Sequence, residues 1–301
     1  MTTRPARAAD PPRMLKVITY NVQFLPGLAR MANKRKDPDY RARTIGRAMA
    51  AYDIVGLNET FDDPPRKLLL EELQKAWPGG FHAVSSPKPA DNRINGGLVI
   101  ASRFPLVETN STIYTQCSLP KDYGIMADGF AAKGVLHARI RVAEHAADSE
   151  CVDVFVTHME ARDDAIRETQ YPELAEFVRQ HSDPARPVLI MGDLNTRGDA
   201  RYREQSDSQY RRLMAALMGS SRTTLTDLWP RLYPDQLGGT TEQESSDKGH
   251  RIDYIMVSNP TKGDCSLVPV AIRVNGFLDQ RVVALSDHSA VEAEFSVVSE
   301  N

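Results

Sequence analysis

Cysteine is scarce in this 301-residue chain, and the three that occur, Cys117, Cys151 and Cys265, are too few and too scattered for a disulfide framework or a structural zinc site. Long apolar runs are missing too: no stretch approaches the ~18 residues that a membrane span needs. Tryptophan appears only at Trp77 and Trp229, so no aromatic belt for a bilayer interface is visible. Neither sign of charge dominates. A net charge of −3 and a pI near 6.2 give no broad basic face for gripping a polyanion, which weighs against a processive nucleic-acid binder but permits a local basic groove. There is also no Pro/Gly/Ser-rich linker and no internal repeat.

What is present is ordinary for a soluble globular protein: 41% hydrophobic and 26% charged residues. A chain of this length buries about three quarters of its unfolded surface and needs no covalent staples. Residues 1–13, polar and rich in Arg, Ala and Pro, read as disordered. They hold no hydrophobic stretch of the signal-peptide kind, so the expected compartment is the cytoplasm, or the exterior if an export signal has been removed. From there on, short apolar runs bounded by turn residues predict strands at 15–21, 54–57, 97–101, 134–142, 152–157, 188–191, 252–257 and 290–297. Amphipathic patterns predict helices at 40–51, 65–77, 165–180 and 208–218, the third with Ile166, Leu174, Phe177 and Val178 on one stripe and Asp163-Asp164 at its positive end. Strands and helices interleave throughout, which predicts one α/β domain over residues 14–301. The irregular stretches at 22–39, 110–132, 196–207 and 230–250 are long enough to be functional loops.

The chemistry is in where the acids, amides and histidines fall. Asn21 closes the first strand, Glu59 follows the second in Gly56-Leu57-Asn58-Glu59-Thr60, and His158 ends another in Val156-Thr157-His158. Asp193 and Asn195 follow an apolar run. Asp253 opens Asp253-Tyr254-Ile255, and Asp287-His288 precede the last strand. Ligands of α/β sheets gather beyond strand ends, so these groups are placed to converge on one rim. In extended chain, Asp193 and Asn195 would face the same volume while Leu194 points into the core. Each residue alone has a plainer reading: Asn21 and the Asp-x-Asn as turns, Glu59 as a helix-start acid, Asp287 as an N-cap, His158 as a core histidine. That all of these hold at once, each beside an apolar strand, is the coincidence that favours a site.

The ordered series Asn, Glu, Thr-His, Gly-Asp-x-Asn, Arg-Ile-Asp-Tyr, Ser-Asp-His resembles the endonuclease/exonuclease/phosphatase superfamily, the DNase-I-like proteins, over about residues 15–297. The resemblance implies a four-layer α/β sandwich of two packed mixed β-sheets flanked by helices. It also implies phosphoester hydrolysis with Mg²⁺, or Mn²⁺ or Co²⁺ in its stead, with a second divalent ion allowed. Three segments are similar to the neutral sphingomyelinases: Tyr20-Asn21-Val22-Gln23-Phe24-Leu25-Pro26, Thr157-His158-Met159-Glu160, and Ala127-Asp128-Gly129-Phe130-Ala131-Ala132-Lys133-Gly134. In that branch the lysine matching Lys133 approaches the substrate and the aspartate matching Asp128 pairs with it. The aromatic-tipped hairpin of the secreted bacterial members is reduced here to Asn275-Gly276-Phe277-Leu278, a weak wedge.

The roles that follow are expectations. Glu59 with Asn21 holds a divalent cation, and Asp287 is a further ligand or supports one. His288 is the general base, oriented by Asp253. Asp193 and Asn195 position the attacking water, and His158 binds phosphate oxygens. The expected substrate is a phospholipid head group at a membrane surface, with sphingomyelin yielding ceramide and phosphocholine, and a monomer is expected. The alternatives are a nuclease, for which Arg201, Arg203, Arg211 and Arg212 are candidate contacts, and a phosphomonoesterase acting on polar head groups.

Overall fold

The computed structural model describes residues 13–299 apart from 28, 30–35, 92, 125–126, 143–149, 221–224 and 264. Of the segment 1–13, expected to be disordered, residues 1–12 lie outside the described residues, and Arg13 instead opens the first strand, where it pairs with Val297. Fourteen strands are formed by the described residues: β1 Arg13–Asn21, β2 Ile54–Asn58, β3 His82–Ser85, β4 Val99–Ser102, β5 Leu106–Ile113, β6 Gly134–Arg141, β7 Cys151–His158, β8 Val188–Asp193, β9 Leu225–Asp227, β10 Asp253–Ser258, β11 Cys265–Asn275, β12 Leu278–Asp279, β13 Val283–Ala284 and β14 Ala290–Ser299. The longer helices are α1 Pro38–Met49, α2 Asp63–Ala76, α3 Asp164–His181 and α4 Gln209–Ser220.

Two six-stranded sheets result, ordered β11-β14-β1-β2-β4-β3 and β5-β6-β7-β8-β10-β9. Each is mixed: β1–β2 and β7–β8 run parallel and their other pairs antiparallel. Central strands such as β7 and β8 are buried along their whole length. Both of their faces are covered, which is why they read as continuous apolar runs. Leu15, Val17, Ile54, Val154, Val156, Met191 and Ile255 fill the space between the sheets. A second layer of core joins β1 and β2 to α1 and α2, and a third joins β7 and β8 to α3 and α4. The architecture is the four-layer α/β sandwich.

The sheets approach closely at Gly56, where an added Cβ would lie 2.8 Å from both Met191 and Val156 side chains. Just above, the Asn58 amide on β2 donates to the Thr157 carbonyl on β7 at 2.7 Å, tying one sheet to the other inside the core. Helix α3 starts where expected: the Asp163 side chain accepts from the backbone N–H groups of Ala165 and Ile166 at 2.9 and 3.1 Å. Of its anticipated stripe, Leu174, Phe177 and Val178 are buried and Ile166 is half-buried. No helix of the described residues is long and apolar enough to cross a membrane.

Candidate active site

Strand register assembles the first row of the site. His158 pairs with Asp193 across β7–β8, and Asp193 pairs with Asp253 across β8–β10, so the three stand side by side at one end of their sheet. On the facing sheet Asn21 and Asn58 are register partners, and the residue after Asn58 is Glu59, turned over the rim by a left-handed backbone (φ 57). The two rows meet through Asn21, whose Nδ2 donates to Glu59 Oε1 at 2.9 Å and to Asp193 Oδ2 at 3.0 Å. His158 Nε2 lies 3.5 Å from Asp193 Oδ2 and 3.9 Å from Glu59 Oε1. His288 Nδ1 is 2.9 Å from Asp253 Oδ2, and its Nε2 is 3.8 Å from Asp193 Oδ2.

The charges are strongly coupled. Burial, and then the charge of Asp287, push the Glu59 carboxyl up to about 7. Burial, and then the charge of Asp253, push Asp193 up to about 6. Burial holds His158 well below its usual value and therefore neutral. Burial acts the same way on His288 but is outweighed by the carboxylates of Asp253 and Asp193, which raise it well above the ordinary imidazole value.

Glu59, His158 and Asp193 offer one donor atom each within 4.8 Å of one another, as do Asp193, Asp253 and His288. His158 Nδ1 and Asp253 Oδ1 are buried with no hydrogen-bond partner among the described residues. Two carboxyls whose protons are held by burial and then by neighbouring negative charge, beside a neutral imidazole, form a donor set that fits a hard divalent cation.

Asp287 stands off this cluster. Its carboxylate takes the Gln23 side-chain amide and the Ser286 hydroxyl (3.2 Å), and its charge reaches Glu59. Asn195 departs from the extended geometry expected of Asp-x-Asn. Its φ is 48, its backbone N–H donates to Asp193 Oδ1 at 3.0 Å, and its amide donates to the Met159 carbonyl at 3.0 Å. The tight turn and the rim position thus coexist, with Leu194 buried as anticipated. Lys133 is buried, with Nζ 2.7 Å from Asp128 Oδ2 and 3.0 Å from the Met159 carbonyl. Burial raises the Asp128 carboxyl, but the Lys133 charge and hydrogen bond outweigh it and bring Asp128 to about 2.

Several contributors were not legible beforehand. Gln23 and Ser286 brace Asp287, and the Ser286 hydroxyl also donates to the Asn21 carbonyl at 2.6 Å. Arg41 is fully buried and donates to the carbonyls of Leu285 (2.7 Å), Gln23 (3.3 Å) and Val22, stitching together the two loops that carry Gln23 and Asp287. Ser286 and Gln23 did adjoin flagged residues; Arg41, in the first turn of an amphipathic helix, gave no signal. Of the arginines considered for nucleic acid, Arg203 is buried and bonds Glu204 at 2.9 Å, Arg211 bonds the Arg203 carbonyl at 3.3 Å, and Arg212 pairs with Glu168 at 2.7 Å.

This sandwich, with its paired rows of acids, amides and histidines on one rim, is the arrangement of a recognised family. The Endonuclease/Exonuclease/phosphatase family matches residues 18–288, and the chain belongs to it. It is 29% identical over 202 residues to Sphingomyelinase C 2 of Leptospira interrogans, covering 60% of this chain and 30% of that protein. The chain therefore spans under a third of the length of that relative. It is 26% identical over 252 residues to a Sphingomyelinase C of Bacillus cereus, covering 74% of this chain and 69% of the other. A mutant beta toxin of Staphylococcus aureus, solved with bound magnesium ions, superposes with a TM-score of 0.61 at 18% identity over 93% of this chain and 99% of the toxin.

Proposed function

We propose that the protein is a divalent-metal-dependent phosphodiesterase that hydrolyses a choline phospholipid, most simply sphingomyelin to ceramide and phosphocholine. The observation that carries this reading is the adjacency of a histidine–aspartate pair (His288, Asp253) to the Glu59–His158–Asp193 cluster. Phosphodiester hydrolysis needs one group that takes a proton from water and another that gathers negative charge. The curated relatives named above are sphingomyelinases, which supports the lipid.

Glu59, Asp193 and His158 would hold the cation, with Asn21 spanning the two carboxylates. The ion would polarise a phosphoryl oxygen and offset charge on the departing alkoxide. His288 Nε2 takes the proton of the attacking water, while Asp253 fixes the tautomer through Nδ1 and stabilises the imidazolium that forms. Asp193, 3.8 Å from Nε2, orients that water. Asn195 and Met159 shape the wall behind it through their hydrogen bond. The Lys133 ammonium, anchored by Asp128, places positive charge beside the oxygens of the phosphate. Asp287, braced by Gln23, tunes Glu59 by charge.

Of the candidate contacts of the nuclease alternative, Arg203, Arg211 and Arg212 bond within the protein, while Arg201 is exposed. The direct test is hydrolysis of sphingomyelin vesicles and of plasmid DNA, each in Mg²⁺ and then EDTA, with His288→Ala alongside. Phosphocholine release that EDTA stops and that the variant lowers ~10²–10⁴-fold is expected. Cleavage of DNA but not lipid, or near-normal turnover by His288→Ala, overturns the assignment.

A further inference from the structure

On the face of the second sheet that packs against α3, at its β5 edge, two histidines and a carboxylate converge. Glu108 on β5, His137 on β6 and His181 at the end of α3 each offer one donor atom, and the three atoms lie within 4.8 Å of one another. The place is separate from the rim. Its Asp153 and the rim's His158 stand near opposite ends of β7, ~16 Å apart along an extended strand. None of the three residues takes part in the chemistry proposed above. Strand register sets the arrangement: Glu108, Arg139 and Asp153 are partners across β5, β6 and β7, and Asn110, His137 and Phe155 form the neighbouring row.

The hydrogen bonds determine which atoms can ligate. The Asn110 amide nitrogen donates to Glu108 Oε1 at 3.0 Å and to His137 Nδ1 at 3.3 Å. An amide nitrogen has only protons to give, so Nδ1 of His137 carries a lone pair. Its Nε2 then carries the proton and donates it to Asp153 Oδ1 at 3.1 Å. That is how a carboxylate orients a metal-binding imidazole from behind. Asp153 is itself fixed, by Arg139 Nε at 2.8 Å and by the backbone N–H of Asp183 at 2.9 Å. His181 is positioned by packing, its ring centroid 5.9 Å from that of His137 and 4.4 Å from that of Phe177. Burial holds it below the usual imidazole value, which leaves a lone pair available at neutral pH. Arg139 also binds Glu108 and the His181 carbonyl, but its one charge faces two carboxylates and the negative end of an 18-residue helix, so the local field still favours a cation. Tetrahedral zinc sets its ligands about 3.4 Å apart. His137 is fully buried and is the fixed member, while Glu108 and His181 are half-buried and have room to close the difference. Two imidazoles with one carboxylate suit a borderline ion such as Zn²⁺; Mg²⁺ and Ca²⁺ call for oxygen ligands.

We propose that Glu108, His137 and His181 hold a zinc ion, with water as the fourth ligand, that pins the last turn of α3 to the β5–β6 edge. The Asn110 amide, which bridges Glu108 and His137, gives way when the ion enters. The site is independent of the phosphodiesterase reading and stands or falls without it. To test it, ZnCl₂ is titrated into the isotope-labelled protein in saturating Mg²⁺, and the histidine ring nitrogens are followed by NMR. Nδ1 of His137 and one ring nitrogen of His181 are expected to shift together along a single saturation curve. Loss of an orienting partner alone costs ~10–100-fold in metal affinity, so loss of a ligand in His181→Gln is expected to weaken the His137 response by at least that much. A second measurement separates this site from the rim, where His158 is also open to zinc. Zn²⁺ is expected to raise the unfolding midpoint of Glu59→Gln saturably and to leave that of Glu59→Gln/His181→Gln nearly unmoved. A response at His158 with His137 and His181 unshifted, or equal zinc stabilisation of the two variants, overturns the site. If His181→Gln fails to fold, the ring-nitrogen titration of the wild type decides alone.

Discussion

Burial, together with neighbouring negative charge, at Glu59 and Asp193 has a direct consequence for metal binding. Both carboxyls titrate above their ordinary values in the folded chain, at about 7 and about 6, so a cation must displace protons that the unfolded chain would already have released. The half-saturating Mg²⁺ concentration is therefore expected to fall as pH rises through about 6 to 7 and to level off above, measured by calorimetry at fixed ionic strength. The sign for stability is opposite. A raised carboxyl favours folding at low pH and loses that contribution as pH climbs to its folded value, so the metal-free protein is expected to lose stability over this window and Mg²⁺ to restore it. At His288, Asp253→Asn removes the leading charge that raises the imidazole. The acid limb of the kcat/KM profile is expected to move to lower pH while the maximum falls by orders of magnitude, since the wrong tautomer is then favoured. Arg41→Met leaves three buried carbonyls without their guanidinium, at about 1–3 kcal/mol for each group left unsatisfied. A lowered unfolding midpoint together with weakened Mg²⁺ binding is the expected outcome, with little rescue by Arg41→Lys, whose ammonium lacks the planar fork. These residues differ in how far sequence discloses them. Asn21, Glu59, His158, Asp193, Asp253 and His288 each adjoin an apolar strand, and the pattern exposes them. Arg41 acts through main-chain carbonyls, and such partners leave no trace in a linear pattern.

At the scale of elements, the eight strands and four helices expected from periodicity all occur, with ends shifted by a few residues. The strands that periodicity passed over are β3, β5, β9 and β11 together with the small β12–β13 hairpin, and the first four are the outer strands of the two sheets. An outer strand is covered on fewer sides, so its apolar run is broken by polar or proline residues: β5 alternates half-buried and exposed positions, and β11 carries Pro269 at a register shift. The β12–β13 hairpin also revises the expected wedge. Phe277 is drawn inward onto Tyr20, while Leu278 and Val283 are 61% and 76% exposed. The exposed side chains of this hairpin are therefore aliphatic. The Leu278→Asp/Val283→Asp variant is expected to lose vesicle binding in co-sedimentation while retaining turnover of a soluble diester; unchanged sedimentation would remove the hairpin from the lipid interface.

At the scale of the molecule, the layered sandwich brings a rim residue from six separate segments into one volume, and a cation held by Glu59, His158 and Asp193 would be shared between the halves. A ligand that binds only the folded state stabilises it by about 2.7 kcal/mol at a hundredfold excess over its Kd. Mg²⁺ is accordingly expected to raise the unfolding midpoint in a saturable manner, and Glu59→Gln to blunt that response. Asn21 and Glu59 belong to one sheet, His158, Asp193 and Asp253 to the other, and even the His288–Asp253 pair is divided between them. The Asn58 bond to Thr157 sits directly under this division. Neither half carries a complete set of rim groups, so a chain that has formed one sheet during synthesis holds no site, and the whole constellation arrives in a single step when the second sheet closes over it.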